Sequence, residues 1–275
     1  MNAKKPKKTV VKRILNVIPS PDTQKDWRYE HAVEAGVAAG PAAVFPPTKD
    51  LRETWWDIGN QLSTGSCVGW GTADSVLRWH FAKAGRLGKT STARDKLSPR
   101  FTWMASKETD VYTSYPTTMI EEAGTWLKAA LDVSRKFGAV RIPTLPFQPE
   151  QLWAGTQAAF YTLAAQFKIT SYFNLTPVPG ADPFNMWRDW IANHGPILTR
   201  LGVDATWDNV TPNGHLDVYQ PNTVRGGHCV ALVGYTPDRF TVRNSWGTTW
   251  ADKGYGYASL AYARAAFTEA YGVTI

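Results

Sequence analysis

The sequence predicts an α+β fold, with helices in the first part of the chain and antiparallel strands in the last part. Up to Gly195, apolar residues recur at helical spacing in several proline-free stretches. After Gly195 they fall in short apolar or alternating runs separated by turn residues, which is typical of strands. Because 43% of the 275 residues are hydrophobic, the chain can bury a large core as one domain or two packed lobes.

Three helices are predicted, over residues 67–84, 121–137 and 183–193. The first two end at Gly85 and Gly138, because glycine is a common helix stop. The third has Asp182 as its N-cap and Pro183 at the first helical position, where a missing N–H is tolerated.

Four strands are predicted after Gly195, over residues 196–203, 227–235, 239–244 and 254–260. The second and third are joined by Thr236-Pro-Asp-Arg239, which favours a tight turn. We therefore expect these two strands to form an antiparallel hairpin.

Residues 1–45 form a predicted extension to a domain that covers residues 46–275. Prolines and the small-residue stretch Ala35–Ala43 argue against much regular structure in the extension. Trp27 and Tyr29 nevertheless predict that part of it docks onto another surface. Within the domain we expect a helical lobe over about 46–150 and a β lobe over about 151–275.

Positive charge is concentrated at the N-terminus, where six basic residues precede the first acidic one. They are Lys4, Lys5, Lys7, Lys8, Lys12 and Arg13. Such a run is usually a solvated arm, but it could contact nucleic acid, an anionic membrane, an acidic surface or another subunit. Without these six residues the chain has 24 basic and 23 acidic residues, so the net charge of +7 comes largely from this run.

The cellular location is predicted from targeting signals and cysteine usage. No run approaches the roughly 18 apolar residues of a membrane helix, and the N-terminus makes a poor secretory signal. Cys67 and Cys229 are the only two cysteines, too few for a disulfide framework. We expect synthesis in a reducing cytoplasm, and leave open a later transfer within a larger assembly.

Three short segments, 61–67, 226–228 and 244–247, carry the groups of a thiol-dependent acyl-transfer site. Cys67 opens a predicted helix, whose unpaired N–H groups and dipole favour a thiolate nucleophile. His228 opens a predicted strand, and Asn244 ends its partner strand, so the carboxamide can orient the imidazole as a base. The side-chain amide of Gln61 is left to stabilise an oxyanion. Each residue alone has an ordinary structural interpretation, and their combination favours the site.

These segments resemble the papain-like cysteine peptidases over roughly residues 50–260. Gln61 precedes Cys67 by six residues, which is the family's spacing for its oxyanion-hole glutamine. Residues 227–235 resemble the family's Asn-His-Ala-Val-Ala-Leu-Val-Gly-Tyr. Residues 244–255 resemble its Asn-Ser-Trp-Gly-x-x-Trp-Gly-x-x-Gly-Tyr.

The resemblance implies a two-lobed fold, with a helical N-terminal lobe, an antiparallel β-barrel-like C-terminal lobe and the active-site cleft between them. It implies a peptidase that works through a thioester acyl-enzyme, with no cofactor and no metal. The catalytic residues would be Cys67, His228, Asn244 and Gln61. By position, Gly124 would pair its backbone with substrate. Gly227 leaves room for a ligand, and Trp246 could cover the Asn–His pair or belong to the core.

Several residues depart from the family pattern. Thr64 stands where the family has a disulfide cysteine, and Val68 where it has an aromatic residue. The long interval between Cys67 and His228 requires an insertion. The extension does not carry the family's helical pro-region motif, so inhibition by residues 1–45 is a hypothesis beside anchoring and recruitment.

Two other functions stay open from the sequence. The same residues could serve another thiol-dependent acyl transfer, in an amidase, transpeptidase or deamidase. Alternatively, the chain could be a structural or assembly component that kept the fold, which the basic extension suggests. The remaining histidines are expected to be structural: His80 lies too far along its helix to reach the thiol, and the other three are surface or loop residues. These are His31, His194 and His215.

Overall fold

A computed structural model describes residues 13–40, 44–109, 124–148, 155–177 and 182–275. The α+β class predicted from the sequence is confirmed. Within those ranges the helices are α1 (Tyr29–Glu34), α2 (Cys67–Gly69), α3 (Arg78–Lys83), α4 (Pro99–Thr109), α5 (Leu127–Lys136), α6 (Gln157–Ala164), α7 (Phe184–Asn193), α8 (Ala205–Asp208) and α9 (Leu260–Ala266). No helix among the described residues is both long and apolar enough to cross a membrane.

The strands form one sheet in the last third of the chain, joined by short strands from earlier in the sequence. They are β1 (Lys49–Asp50), β2 (Ser171–Asn174), β3 (Ile197–Val203), β4 (His215–Leu216), β5 (Gly226–Tyr235), β6 (Arg239–Arg243), β7 (Tyr255–Ser259) and β8 (Phe267–Thr274). Their order is β2-β8-β3-β5-β6-β7-β4, with β1 paired to β5. All described pairings are antiparallel except β4 with β7. The predicted β5–β6 hairpin is present.

A helix runs continuously over residues 67–83, as predicted, and it packs against the sheet. Its middle, Trp70–Leu77, has the wider π-helical bonding, a local irregularity that often accompanies functional sites. Gly71 lets this central helix approach β5 closely, because a Cβ there would lie only 2.5 Å from Cys229 Sγ. The helix stops at Gly85, which has a φ of +72°.

Two helix predictions were wrong in part. The helix predicted over 183–193 begins at Phe184, with Pro183 instead of Asp182 as its N-cap. The helix predicted over 121–137 begins only at Leu127; residues 124–126 are extended, and 121–123 lie outside the described ranges. The reason is that Thr125 uses its carbonyl to accept a hydrogen bond from the Ile18 N–H, so this backbone pairs with another segment instead of a helix. Five of the described helices, α1, α4, α6, α8 and α9, and the strands β1, β2, β4 and β8 were not predicted.

The N-terminal extension is more ordered than its composition predicts. Residues 13–40, called the arm below, pack onto the domain and contain α1. Tyr29 is buried and its hydroxyl donates a 2.6 Å hydrogen bond to Asp189 on α7. A buried tyrosine with a partner outweighs the prolines that argued against regular structure. The boundary at residue 45 and the two lobe ranges stay predictions.

Candidate active site

Cys67 lies at the start of the central helix, as its sequence position predicts. Its side chain is fully buried, and the thiol lies against the start of β5, where the backbone N–H of Cys229 acts on it. Gly71, one helical turn later, makes this close packing possible. The nucleophile candidate therefore sits where the helix meets the strand that carries His228.

His228 and Asn244 contact each other across the β5–β6 hairpin. The His228 Nε2 to Asn244 Oδ1 distance is 2.8 Å. The same oxygen accepts the Ser245 N–H at 2.8 Å, which fixes the orientation of the carboxamide. Since an amide oxygen only accepts, Nε2 carries the ring proton and Nδ1 is the basic nitrogen. Nδ1 is buried and has no hydrogen-bond partner among the described residues.

Gln61 is also fully buried next to this pair. Its side-chain oxygen accepts a 2.8 Å hydrogen bond from Ser245 Oγ, and its Nε2 donates to the Thr64 carbonyl at 3.0 Å. Its backbone N–H donates to the Ser245 carbonyl. Ser245 thus orients both Gln61 and Asn244, a linking role that sequence analysis missed although Ser245 lies inside the Asn-Ser-Trp-Gly motif.

Burial controls the electrostatics of the site. Desolvation raises the pKa of the Cys67 thiol to about 11, although backbone N–H groups of Cys229, Val68 and Cys67 itself act in the opposite direction. Desolvation also lowers the pKa of His228 to about 4, against the effect of Asn244 and with help from Arg13 and Arg225. The expected thiolate is therefore absent from this closed arrangement: burial outweighs the helix N-terminus, and both groups are neutral at pH 7.

Aromatic rings enclose the imidazole. Trp246 lies 4.9 Å from His228 between ring centroids, and Trp207 meets His228 edge-on at 5.7 Å. Trp250 stacks on Trp207 at 4.8 Å. Trp246 is therefore both a cover for the Asn–His pair and part of the core, the two interpretations that the sequence left open. Trp207 was not identified from the sequence, because nothing local sets it apart from the other 12 tryptophans.

The arm runs along this site between two glycine-lined walls. Val17 N–H donates to the Gly227 carbonyl at 3.2 Å, and Ile18 N–H to the Thr125 carbonyl at 3.4 Å. A Cβ at Gly124 would collide with the Asn16 carbonyl, and one at Gly227 with the Val17 carbonyl. The space that these glycines were expected to leave for a ligand backbone is filled by the chain's own arm.

The first described residue of the arm, Arg13, reaches the edge of the site. Its guanidinium donates to Asn60 Oδ1 at 3.0 Å, to the Leu62 carbonyl at 2.8 Å and to the Trp246 carbonyl at 3.2 Å. The guanidinium also lies 5.7 Å from the centre of a Trp246 ring. Arg13 was grouped with the solvated basic run, but it is a specific contact, because three oxygens converge on it. The other five basic residues lie outside the described ranges.

A buried ion cluster connects the hairpin to the central helix. Arg243, which immediately precedes Asn244, pairs with Asp74 at 2.9 Å and donates to Ser75 Oγ at 2.6 Å. Asp74 also pairs with Arg78 at 3.3 Å. Because Asp74 and Ser75 lie in the π-helical segment, this cluster fixes Asn244 relative to the helix that begins at Cys67.

Among the described residues, no group of three His, Cys, Asp or Glu side chains could hold a metal ion. Cys67 and Cys229 are both free and buried. His80 is buried, whereas His31 and His215 are exposed and His194 ends α7. The side chains available for chemistry here are therefore the thiol, the imidazole and the amides.

Comparisons with known proteins identify the family of this chain. A family model described as "Papain family cysteine protease" matches residues 122–268, more than half of the chain, and includes His228 and Asn244. "Peptidase 1" of Euroglyphus maynei is 47% identical over 103 residues, which cover 34% of this chain and 30% of that protein. The chain thus spans less than a third of the length of that curated relative.

Solved structures match over longer ranges. Xylellain, a cysteine protease from Xylella fastidiosa, aligns with a TM-score of 0.73 at 20% identity, covering 100% of this chain and 99% of that one. Digestive procathepsin L2 from Tenebrio molitor aligns with a TM-score of 0.64 at 19% identity, covering 96% of this chain and 78% of that one. At such identities these likenesses show the fold, and the family model adds the relationship: the chain belongs to the papain family of cysteine proteases.

Proposed function

We propose that this chain is a cysteine peptidase that hydrolyses peptide bonds with Cys67 as nucleophile and His228 as acid and base. The observation that carries the proposal is the 2.8 Å contact from His228 Nε2 to Asn244 Oδ1, which leaves Nδ1 unprotonated and without a described partner. A buried nitrogen without a hydrogen-bond partner costs free energy, and a catalytic role for His228 would account for that cost. The thiol of Cys67, at the start of the adjacent helix, is the group whose proton this nitrogen would accept.

The first half-reaction forms the acyl-enzyme. His228 Nδ1 accepts the proton of Cys67, and the sulfur attacks the carbonyl carbon of the peptide. The resulting oxyanion is held by the Cys67 backbone N–H and by Gln61. Gln61 Nε2 has two N–H groups, of which one donates to Thr64, so the second is available for the substrate. Removal of one such donor typically costs roughly 3–4 kcal/mol of barrier.

Acylation is completed when His228 gives its Nδ1 proton to the amine nitrogen and the C–N bond breaks. The second half-reaction then releases the acyl group: His228 Nδ1 takes a proton from water, the water oxygen attacks the thioester, and the C–S bond breaks as that proton returns to the sulfur. Asn244 keeps the imidazole in the required tautomer throughout, and Ser245 keeps Asn244 in place through its backbone N–H. Trp246 limits the access of bulk water to this pair.

The arrangement with the arm in place is a latent form of the enzyme under this proposal. Residues 13–18 lie where Gly124 and Gly227 would contact substrate, and Cys67 and His228 are both fully buried. Burial disfavours the proton transfer from Cys67 to His228, because it disfavours both charged forms. That a relative of similar fold is named as a procathepsin supports a precursor form here. Peptide or protein substrates would enter only after the arm has moved.

The test combines chemical labelling with substrate profiling on the full chain. We expect an epoxide peptide probe to modify Cys67, located by mass spectrometry, and fluorogenic peptides to be cleaved during long incubation at several pH values. Cys67→Ala should abolish both. Peptide cleavage that persists in Cys67→Ala would show that the nucleophile is misassigned. A folded wild-type protein that neither labels nor cleaves under any of these conditions would instead favour the structural role.

Substrate profiling also separates the related chemistries. Cleavage of esters or side-chain amides without cleavage of peptide bonds would replace the peptidase by an amidase or deamidase. Acyl transfer to added amines in preference to water would identify a transpeptidase. All three use the same residues, so only the products distinguish them.

A further inference from the structure

Outside the cleft, we infer that Lys128, Asn174 and Tyr271 form a carboxylate-binding site, and that Asp26 of the arm fills it as a latch. The latch holds residues 13–20 over Cys67 and so maintains the latent form. This inference rests on the proposed function only for the meaning of latency. The site itself is a property of the fold and can be tested separately.

Three elements of the domain converge on the Asp26 carboxylate. Lys128 on α5 places Nζ 2.5 Å from Oδ1, Asn174 on β2 donates to Oδ2 at 3.1 Å, and Tyr271 on β8 donates to Oδ2 at 3.0 Å. Only 1% of the Asp26 side chain is exposed, and 17% of the Lys128 side chain. Both carboxylate oxygens therefore have partners, in a pocket nearly closed to water.

The chemistry of the pocket selects a carboxylate. It offers one cation, one amide N–H and one hydroxyl, so its ligand must accept several hydrogen bonds and carry negative charge. A buried lysine without an opposite charge is costly, which makes an empty site unfavourable. An aspartate in an extended peptide satisfies these requirements, and the arm supplies one in the same chain.

The latch connects directly to the segment that covers the cleft. The backbone N–H of Lys128 donates to Ser20 Oγ at 3.2 Å, and the Ser20 N–H donates to Glu269 Oε1 at 3.0 Å. On the other side of Asp26, the Trp27 carbonyl accepts the Asn174 N–H at 2.7 Å. The arm is thus fixed on both sides of Asp26, so residues 13–20 cannot leave freely while the carboxylate is bound.

The contacts inside the cleft are weaker by comparison. The two backbone hydrogen bonds from Val17 and Ile18 measure 3.2 and 3.4 Å, at the long end of the usual range. Hydrogen bonds to charged groups contribute more than neutral ones, and burial strengthens them further. Asp26 is therefore a stronger attachment of the arm than these two backbone hydrogen bonds, and it lies away from the residues that the arm covers.

The test compares four full-length proteins: wild type, Asp26→Asn, Asp22→Asn and the double variant Asp26→Asn/Lys128→Met. Asp22 is a matched control, since it lies on the same arm but 63% of its side chain is exposed. The double variant removes both charges and leaves no unpaired lysine. The readouts are the rate at which iodoacetamide alkylates Cys67, with buried Cys229 as an internal reference, and amide hydrogen exchange of residues 13–20.

We expect Asp26→Asn to raise the alkylation rate of Cys67 about tenfold or more, as for loss of a hydrogen bond to a charged group. Exchange in residues 13–20 should rise in parallel, while Asp22→Asn stays at the wild-type rates. The double variant should show the same Cys67 alkylation rate and the same exchange in residues 13–20 as Asp26→Asn. Wild-type labelling and exchange in a folded double variant would overturn the latch.

Two further outcomes are informative. If Cys229 becomes as reactive as Cys67 in Asp26→Asn, that variant has unfolded. The latch is then tested by the rates measured on the folded double variant. If the arm opens but the open protein cleaves no peptide, the latch stands and the proposed peptidase activity fails. The two proposals therefore fail separately.

Discussion

Strand β5 and residues 13–20 of the arm are neighbouring extended segments, but the bonds that hold them differ. β5 pairs in register with β3 on one side and β6 on the other, and its residues from Gly227 onward are buried. In the cleft the arm is held by two long backbone hydrogen bonds and, at the cleft edge, by the side chain of Arg13. Elements with few such bonds open at low free energy while the rest of the structure stays folded. The proposed catalytic groups therefore lie in the more extensively bonded region, and the segment that covers them in the less extensively bonded one.

The largest effect is expected at the ion cluster that anchors the hairpin. Arg243→Met should destabilise the protein by about 3–5 kcal/mol, because it leaves Asp74 buried with less compensating charge. The measurement is urea unfolding. Arg239→Met, at the other end of β6, is the control: Arg239 pairs at 2.6 Å with Asp217, which is 52% exposed, so the loss should be about 0–1 kcal/mol. Equal losses in the two variants would contradict the buried anchor.

A pH effect of about 3 kcal/mol should follow from His228, whose pKa in the closed form is about 4 instead of 6.5. The unfolded chain binds this proton below pH 6.5 and the native chain only below about 4, so native stability falls as the pH drops between these values. His228→Gln removes this loss. Its stability relative to wild type should therefore rise by about 3 kcal/mol from pH 7 to pH 4.

The contribution of the other strongly shifted histidine, His80, cancels in this comparison of wild type and variant. His80 also has a lowered pKa, about 3, because of burial, and it contributes equally to wild type and variant. Urea unfolding at several pH values gives the difference directly. A constant difference from pH 7 to pH 4 would mean that His228 has the same pKa in the native and the unfolded protein.

The smallest effects are expected from two glycine substitutions, one at the contact between the central helix and β5 and one at the contact between β5 and the arm. Gly71→Ala forces a Cβ against Cys229 Sγ in the core and should cost about 1–3 kcal/mol of stability, with unchanged exchange at Val17 and Ile18. Gly227→Ala meets the Val17 carbonyl instead. It should speed exchange of those two amides while changing global stability by less than about 1 kcal/mol. Unfolding curves and hydrogen exchange measure both quantities, and the reverse pattern would refute the comparison.

The hairpin could be predicted because its determinants are local. A turn sequence between two apolar runs fixes the pairing of β5 with β6, and that pairing brings Asn244 to His228. The start and end of the central helix were equally local signals. β2 and β8 were not predicted, because buried polar residues such as Asn174 and Glu269 interrupt the apolar pattern of these strands.

The path of the arm could not be predicted, since it depends on surfaces that are far apart in the sequence. Gly124 and Gly227 come from different elements, and nothing near Arg13 indicates that three distant oxygens surround its side chain. The charge state of Cys67 was misjudged for a similar reason. The helix start is visible in the sequence, but the desolvation that dominates the pKa comes from the whole fold.

The fully buried, neutral thiol of Cys67 has a consequence for the chemical lifetime of the protein. Oxidation by peroxides proceeds through the thiolate and requires access to sulfur. A pKa of about 11 leaves little thiolate at pH 7, and the side chain has no exposed surface. We expect the closed form to keep its sulfur reduced during storage, so that sensitivity to oxidants begins only when the arm departs.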